Sequence, residues 1–150
     1  MSRELLTARL DDISGTSGSR GAARAVAFAD ARSESVGESR SRVLVHRLGL
    51  PPSTLQLEIT LVGRPSPVRV DMAWEEEHLV GEFDGLVKYG RLLRPGEQPG
   101  DAVVREKLRE DAIRDEGWGV VRWTWGDLLP GDAVGYRVRR GLERGRRRTG

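Results

Sequence analysis

The sequence contains no cysteine, which excludes disulfides and thiolate metal sites. Histidine is nearly as scarce. His46 and His78 stand far apart with no cysteine or histidine companions, so no zinc-ligand spacing is encoded. No apolar run is long enough to cross a bilayer, and the Met1 end lacks the charged, apolar and small-residue succession of a secretory signal. A cytoplasmic protein with no membrane partner is the expectation. Aromatic residues make up only 5% of the chain. The tryptophans must then supply much of the large buried area, and Trp118, Trp123 and Trp125 are assigned to the core. No internal repeat is present.

What remains is a chain of 150 residues, 37% hydrophobic and 32% charged, a length that supports one domain with a real core. Its net charge of +2 conceals an asymmetry. Seven arginines (Arg137, Arg139, Arg140, Arg144, Arg146, Arg147, Arg148) accompany a single acid, Glu143, after residue 136, while residues 1–136 are net acidic. Such a run suits phosphate contact, because each neutralised phosphate releases condensed counterions. A solvated helix end or a disordered tail is the other reading of the same residues. The expected organisation is an N-terminal helical extension with a Gly/Ser linker over 1–30, a main domain over 31–136 and an arginine-rich tail over 137–150.

Residues 3–12 read as a short amphipathic helix on Leu5, Leu6 and Leu10, followed by a glycine- and serine-rich interruption and a second helical piece over Ala22–Phe28. Ser35-Val36-Gly37-Glu38 has the form of a capping box, opening a helix that runs to about Leu48 before Gly49 and Pro51. The period then changes to two. Leu55, Leu57, Ile59 and Leu61 alternate with polar residues, and Val68, Val70, Met72 and Trp74 do so after the Pro65-Ser66-Pro67 break. Leu79 to Asp84 makes a third strand, ended by Gly85, and the three form an antiparallel meander. Tyr89–Gly100 carries no period and reads as a long loop. Asp101 caps a helix to about Asp115, expected to bury Val104, Leu108 and Ala112 with Glu106, Arg109, Glu110 and Arg114 largely outside. Gly117 ends it, Val120–Trp125 is a fourth strand, and a last helix starts near Asp132. The order helix-strand-strand-strand-helix-strand-helix predicts an α/β fold with a mixed sheet flanked by helices, because a strand that follows a crossover helix can lie parallel to the meander.

Alternation puts Glu82 and Asp84 on one side of the third strand and Asp71 on the neighbouring strand, so three carboxylates are expected to converge. A hard divalent cation such as Mg²⁺ relieves their repulsion, and can activate water and stabilise phosphoryl oxygen charge. The competing reading is the ordinary solvent face of an antiparallel strand. Asp84-Gly85 at a strand end, before a long loop, favours a site.

The segments Ser33–Arg42, Val68–Asp71, Gly81–Tyr89 and Glu116–Trp125 together resemble an actinobacterial domain family that is similar to the very-short-patch-repair (Vsr-like) endonucleases and belongs to the PD-(D/E)XK nuclease superfamily. The likeness covers residues 22–130 and extends to the C-terminal domain of type IV abortive-infection antitoxin-like proteins. The winged helix-turn-helix that opens those longer proteins has no recognisable counterpart before residue 30, which weighs against the antitoxin reading; a truncated copy is the alternative. The resemblance implies a restriction-endonuclease-like core and a DNA endonuclease using Mg²⁺ or Mn²⁺, in DNA repair or phage defence. It implies Glu38 as the helix acid that orients water, Asp71 as central metal ligand and Glu82 as second acid; the convergence of carboxylates, not the resemblance, adds Asp84 as a candidate ligand. Glu38 also has a purely local reading as the capping-box glutamate.

Position 84 departs from the superfamily pattern, where a lysine is expected two residues after the second acid. Lys88 is the candidate replacement, its alternative being a solvated loop lysine. Gln56 is a further site candidate. Arg122, Arg139, Arg140 and Arg144 are the candidate nucleic-acid contacts, and Lys107 and Arg109 read either as phosphate contacts or as a salt-bridged helix face. The departure at Asp84 motivates a second function class, a catalytically inactive domain that binds DNA or a cognate toxin protein.

Overall fold

The computed structural model describes residues 3–85 and 99–149. The chain divides into two compact units, the first ending at Arg32 and the second beginning at Ser33. The first is a pair of helices, α1 (Arg3–Asp12) and α2 (Ser19–Phe28), joined by a turn in which Gly15 and Gly18 take left-handed φ angles of 81° and 87°. No residue of α2 is buried.

The second unit follows the order expected from the sequence. It comprises α3 (Val36–Arg47), β1 (Thr54–Ile59), β2 (Val68–Trp74), β3 (Leu79–Asp84), α4 (Pro99–Asp115), β4 (Gly119–Thr124), α5 (Trp125–Leu128) and α6 (Asp132–Thr149). The sheet order is β1-β2-β3-β4, antiparallel between the first three and parallel between β3 and β4. The crossover through α4 permits that parallel pair. This is an α/β fold with a four-stranded mixed sheet flanked by helices.

Each face of the sheet carries its own core. On one, Met72, Trp74, Leu79, Phe83, Val121 and Trp123 pack with Val45 of α3, Leu128 of α5 and Val134, Val138 and Leu142 of α6. On the other, Ile59, Val70, Ala73, Val80 and Val120 pack with Ile113 of α4. The single-sided alternation expected for β1 and β2 is corrected here. Leu55 belongs to the first core and Leu57 and Ile59 to the second, while Val68 and Val70 face the second and Met72 and Trp74 the first. Both strands change sides at one place, where Gln56 has a φ of 54° and Asp71 stands between the switched positions. A left-handed residue inside a strand breaks the period of two, which sequence alternation takes for granted.

Three further expectations are revised. In α4, Val104 and Leu108 are 57% and 56% exposed, whereas Ala102, Arg105, Glu106, Arg109 and Glu110 are half-buried in line with the buried Ile113. The helix turns its charged stripe inward because the sheet beneath presents Glu82 and Arg122. The arginine segment 137–150, expected as a separate tail, continues α6 up to Thr149. Val134, Val138 and Leu142 recur every fourth residue and tie it to the core. Trp125, assigned to the core, instead opens α5 and is 36% exposed, its ring edge-on to Phe83 at 4.9 Å. Trp123 is buried, its indole N–H donating to Ser41 Oγ at 2.7 Å, and Trp118 is partly buried against the second core.

Strand β4 is the last in the sheet order, and arginines bond two of its carbonyls. Arg114 Nη2 donates to the Val120 oxygen at 3.3 Å and Arg137 Nη1 to the Arg122 oxygen at 2.9 Å.

Candidate active site

Five of the sequence-derived site residues, Glu38, Gln56, Asp71, Glu82 and Asp84, line one cavity of about 720 Å³, together with Arg122 and the inward stripe of α4. Lys88 lies outside the described residues, as do residues 89–98 of the expected loop.

Glu38 is placed by the start of α3. Ser35 is the N-cap, its Oγ accepting from the Glu38 amide at 3.1 Å and bonding Glu38 Oε1 at 2.7 Å, while Glu38 Oε2 accepts from the Glu34 amide at 2.9 Å. This is a variant of the capping box, in which the carboxylate accepts from the residue before the N-cap and from the Ser35 hydroxyl rather than from the N-cap amide. Glu38 Oε2 also accepts from Gln56 Nε2 at 3.0 Å across the cavity wall. Gly37 fixes the helix against the sheet: a Cβ there would fall 2.0 Å from the Phe83 ring. Only glycine allows α3 to approach the site strand so closely.

Asp71 sits where the sheet forks. The β2–β3 ladder ends at Met72↔Gly81, and at the next rung Asp71 Oδ2 accepts from the Phe83 amide at 2.8 Å. A side chain thus replaces a strand carbonyl, leaving space between the strands. Asp84, at the end of β3, makes no hydrogen bond or ion pair among the described residues.

Glu82 is 8% exposed and held by two guanidinium groups. Arg109 Nη2 is 2.7 Å from Oε1, and Arg122 Nη2 is 2.6 Å from Oε2, directly across the β3–β4 rung. Glu106 Oε1 joins the pair, 3.0 Å from Arg109 Nη1 and bonded to Arg122 Nη2, and Glu110 Oε2 lies 3.2 Å from Arg122 Nε. Burial opposes ionisation of all three, yet Arg122 and Arg109 hold the Glu106 carboxyl below its ordinary range. Pairing with Glu82 and Glu106 raises both arginines in turn. Glu106 and Glu110 had carried no expectation beyond the outer face of their helix. The spacing Ala102, Arg105, Glu106, Arg109, Glu110, Ile113 is itself a helical stripe and was the available signal.

Among the described residues, eight carboxylates and five cations line the cavity. As arranged, however, the side chains do not fit a divalent ion. Glu82 already faces two arginines, and among the described residues no three His, Cys, Asp or Glu side chains gather to hold a metal. Arg139, Arg140 and Arg144 are not at the cavity. They lie on α6, which packs on the face of the sheet opposite α4.

The chain is similar to two proteins of Mycobacterium tuberculosis, Uncharacterized protein MT2308 (strain CDC 1551 / Oshkosh) and Uncharacterized protein Rv2248 (strain ATCC 25618 / H37Rv), each 32% identical over 121 residues. The matched stretch is 79% of this chain and 41% of either relative, so the chain spans about two fifths of the length of the curated relatives it matches. No family model and no solved structure matches it.

Proposed function

We propose that this is a nuclease-type domain of the PD-(D/E)XK kind that acts on DNA phosphodiester bonds. One observation carries the reading: Glu38, Gln56, Asp71, Glu82 and Asp84, drawn from α3 and three strands, meet in one cavity at a fork in the sheet. Solvent-face carboxylates of an ordinary meander have no reason to share a cavity with a helix acid. In this reading Glu38, steadied by Ser35 and Gln56, holds a water, and Asp71 fixes the opening between β2 and β3 while presenting its carboxylate to the cavity.

The Arg109–Glu82–Arg122 arrangement favours a second reading, a catalytically inactive domain on the same scaffold that binds DNA or a cognate toxin. Two half-buried cations pair with the second acid, and Asp84 stands where a lysine is expected. One experiment separates the two. Purified protein with Mg²⁺ or Mn²⁺ is expected to nick supercoiled DNA, and Asp71→Ala to abolish nicking while circular dichroism shows the fold intact. Binding without cleavage under either ion supports the second reading, and nicking that survives Asp71→Ala removes Asp71 from the site.

A further inference from the structure

We propose that the outer face of α6 is a second nucleic-acid backbone surface, separate from the cavity; the inference rests on DNA being the partner. Along this face Tyr136, Arg140, Arg144 and Arg147 are exposed, with Arg148 beside them. Tyr136, Arg140 and Arg144 succeed one another every fourth residue, a rise of about 6 Å per step. Arg140 lies over the Tyr136 ring at 6.0 Å and donates to its hydroxyl at 3.0 Å.

Other arginines of the helix have internal work. Arg137 pairs with Asp127 and Arg146 with Glu77. Arg140, Arg144, Arg147 and Arg148 pair with no carboxylate among the described residues, and the one acid between them, Glu143, forms no ion pair either. Like charges four residues apart, as in Arg140–Arg144–Arg148, destabilise a helix unless an outside counter-charge binds. Favourable interaction with the helix dipole accounts for basic residues in the last turn, Arg146 to Arg148, but not for Arg140 and Arg144 further in.

The face is also remote from the cavity. α6 starts beyond the Thr124 end of β4 and runs back, so that Gly145 and Arg146 meet Glu77 in the turn before β3. The cavity opens toward the Asp84 end of β3, level with the start of α6, but on the opposite side of the sheet. These arginines therefore cannot close over a substrate in the cavity; they engage a different stretch of backbone. A membrane surface is disfavoured because the outer face offers no large aliphatic side chain. A row of planar forks with a neighbouring aromatic ring suits a polymer of evenly repeated phosphates.

The test uses the full chain, a labelled short DNA duplex and EDTA, with affinity measured by anisotropy from about 50 to 200 mM salt. The triple variant Arg140→Gln/Arg144→Gln/Arg147→Gln is expected to weaken binding at least tenfold at the lowest salt and to flatten the log K against log salt slope by about 3. The matching triple lysine variant, which keeps charge and helix, is expected to retain most of the slope. A folded glutamine variant with unchanged affinity and slope overturns the proposal, as does a wild-type chain that binds an acidic protein but no duplex. Arginine-dependent binding in EDTA, with no nicking in the parallel Mg²⁺ or Mn²⁺ assay, leaves this surface standing and removes the hydrolytic reading. Cleavage indifferent to the three arginines does the reverse.

Discussion

At the scale of single residues, the site depends on a contact that only glycine can make. In an isolated helix, Gly37→Ala would gain about 1 kcal/mol from propensity. Here the new methyl would meet the Phe83 ring at 2.0 Å, an overlap that typically costs about 1–3 kcal/mol and forces one element to move. The overlap prevails. We expect Gly37→Ala to lower stability in urea denaturation by about 1–2 kcal/mol, and Phe83→Leu to recover part of that loss in the double variant. Because Glu38 is the next residue, the same displacement should pull its carboxylate from Gln56 and reduce any activity of the cavity more than global stability alone explains. Glu82 shows the complementary logic. It is buried against two guanidinium groups, and removing either leaves charge facing a desolvated space.

At the scale of elements, the turn from β4 into α5 is an acid-sensitive joint. Asp127 accepts from the Thr124 amide at 2.9 Å and hydroxyl at 3.1 Å, and from Arg137 at 3.0 Å. The amide bond first, then Arg137, holds the Asp127 carboxyl below its ordinary range. A carboxyl depressed on folding contributes stability that is fully present above its unfolded value, near pH 4, and is lost as pH falls through the folded one. Unfolding midpoints in urea should therefore drop as pH falls from about 5 to 2, and Asp127→Asn should lose less over that window than the parent chain. An equal loss in both would place the acid sensitivity elsewhere, with the similarly depressed Glu106 as the next group to replace.

The elements themselves were largely legible in the sequence, since period, capping box and glycine stops all act locally. The Ser35 box and the order of strands were read correctly for that reason. What was not legible arose from tertiary contact. The change of sides at Gln56 and Asp71 follows from the fork in the sheet, and the inward turn of the charged α4 stripe answers Glu82 and Arg122 on strands distant in sequence. Within the site, Glu38, Gln56, Asp71, Glu82 and Asp84 were each placed on an element, but their sharing of a cavity with Arg109 and Glu106 needed three dimensions.

At the scale of the whole molecule, both hydrophobic cores lie within the unit that begins at Ser33. A fragment beginning at Ser33 should then unfold in one cooperative transition with a midpoint matching that of the full chain, by circular dichroism in urea. A broad or absent transition would show that the first unit is needed for folding. The arginines of β4's neighbours have a consequence for crowded conditions. A sheet that ends in a strand with open carbonyls invites a strand from another molecule to extend it. On β4 the Val120 and Arg122 oxygens are already bonded by Arg114 and Arg137, whose bulk and charge flank the place where an incoming strand would dock. The same residue type that makes this chain basic thereby blocks strand addition at the β4 edge.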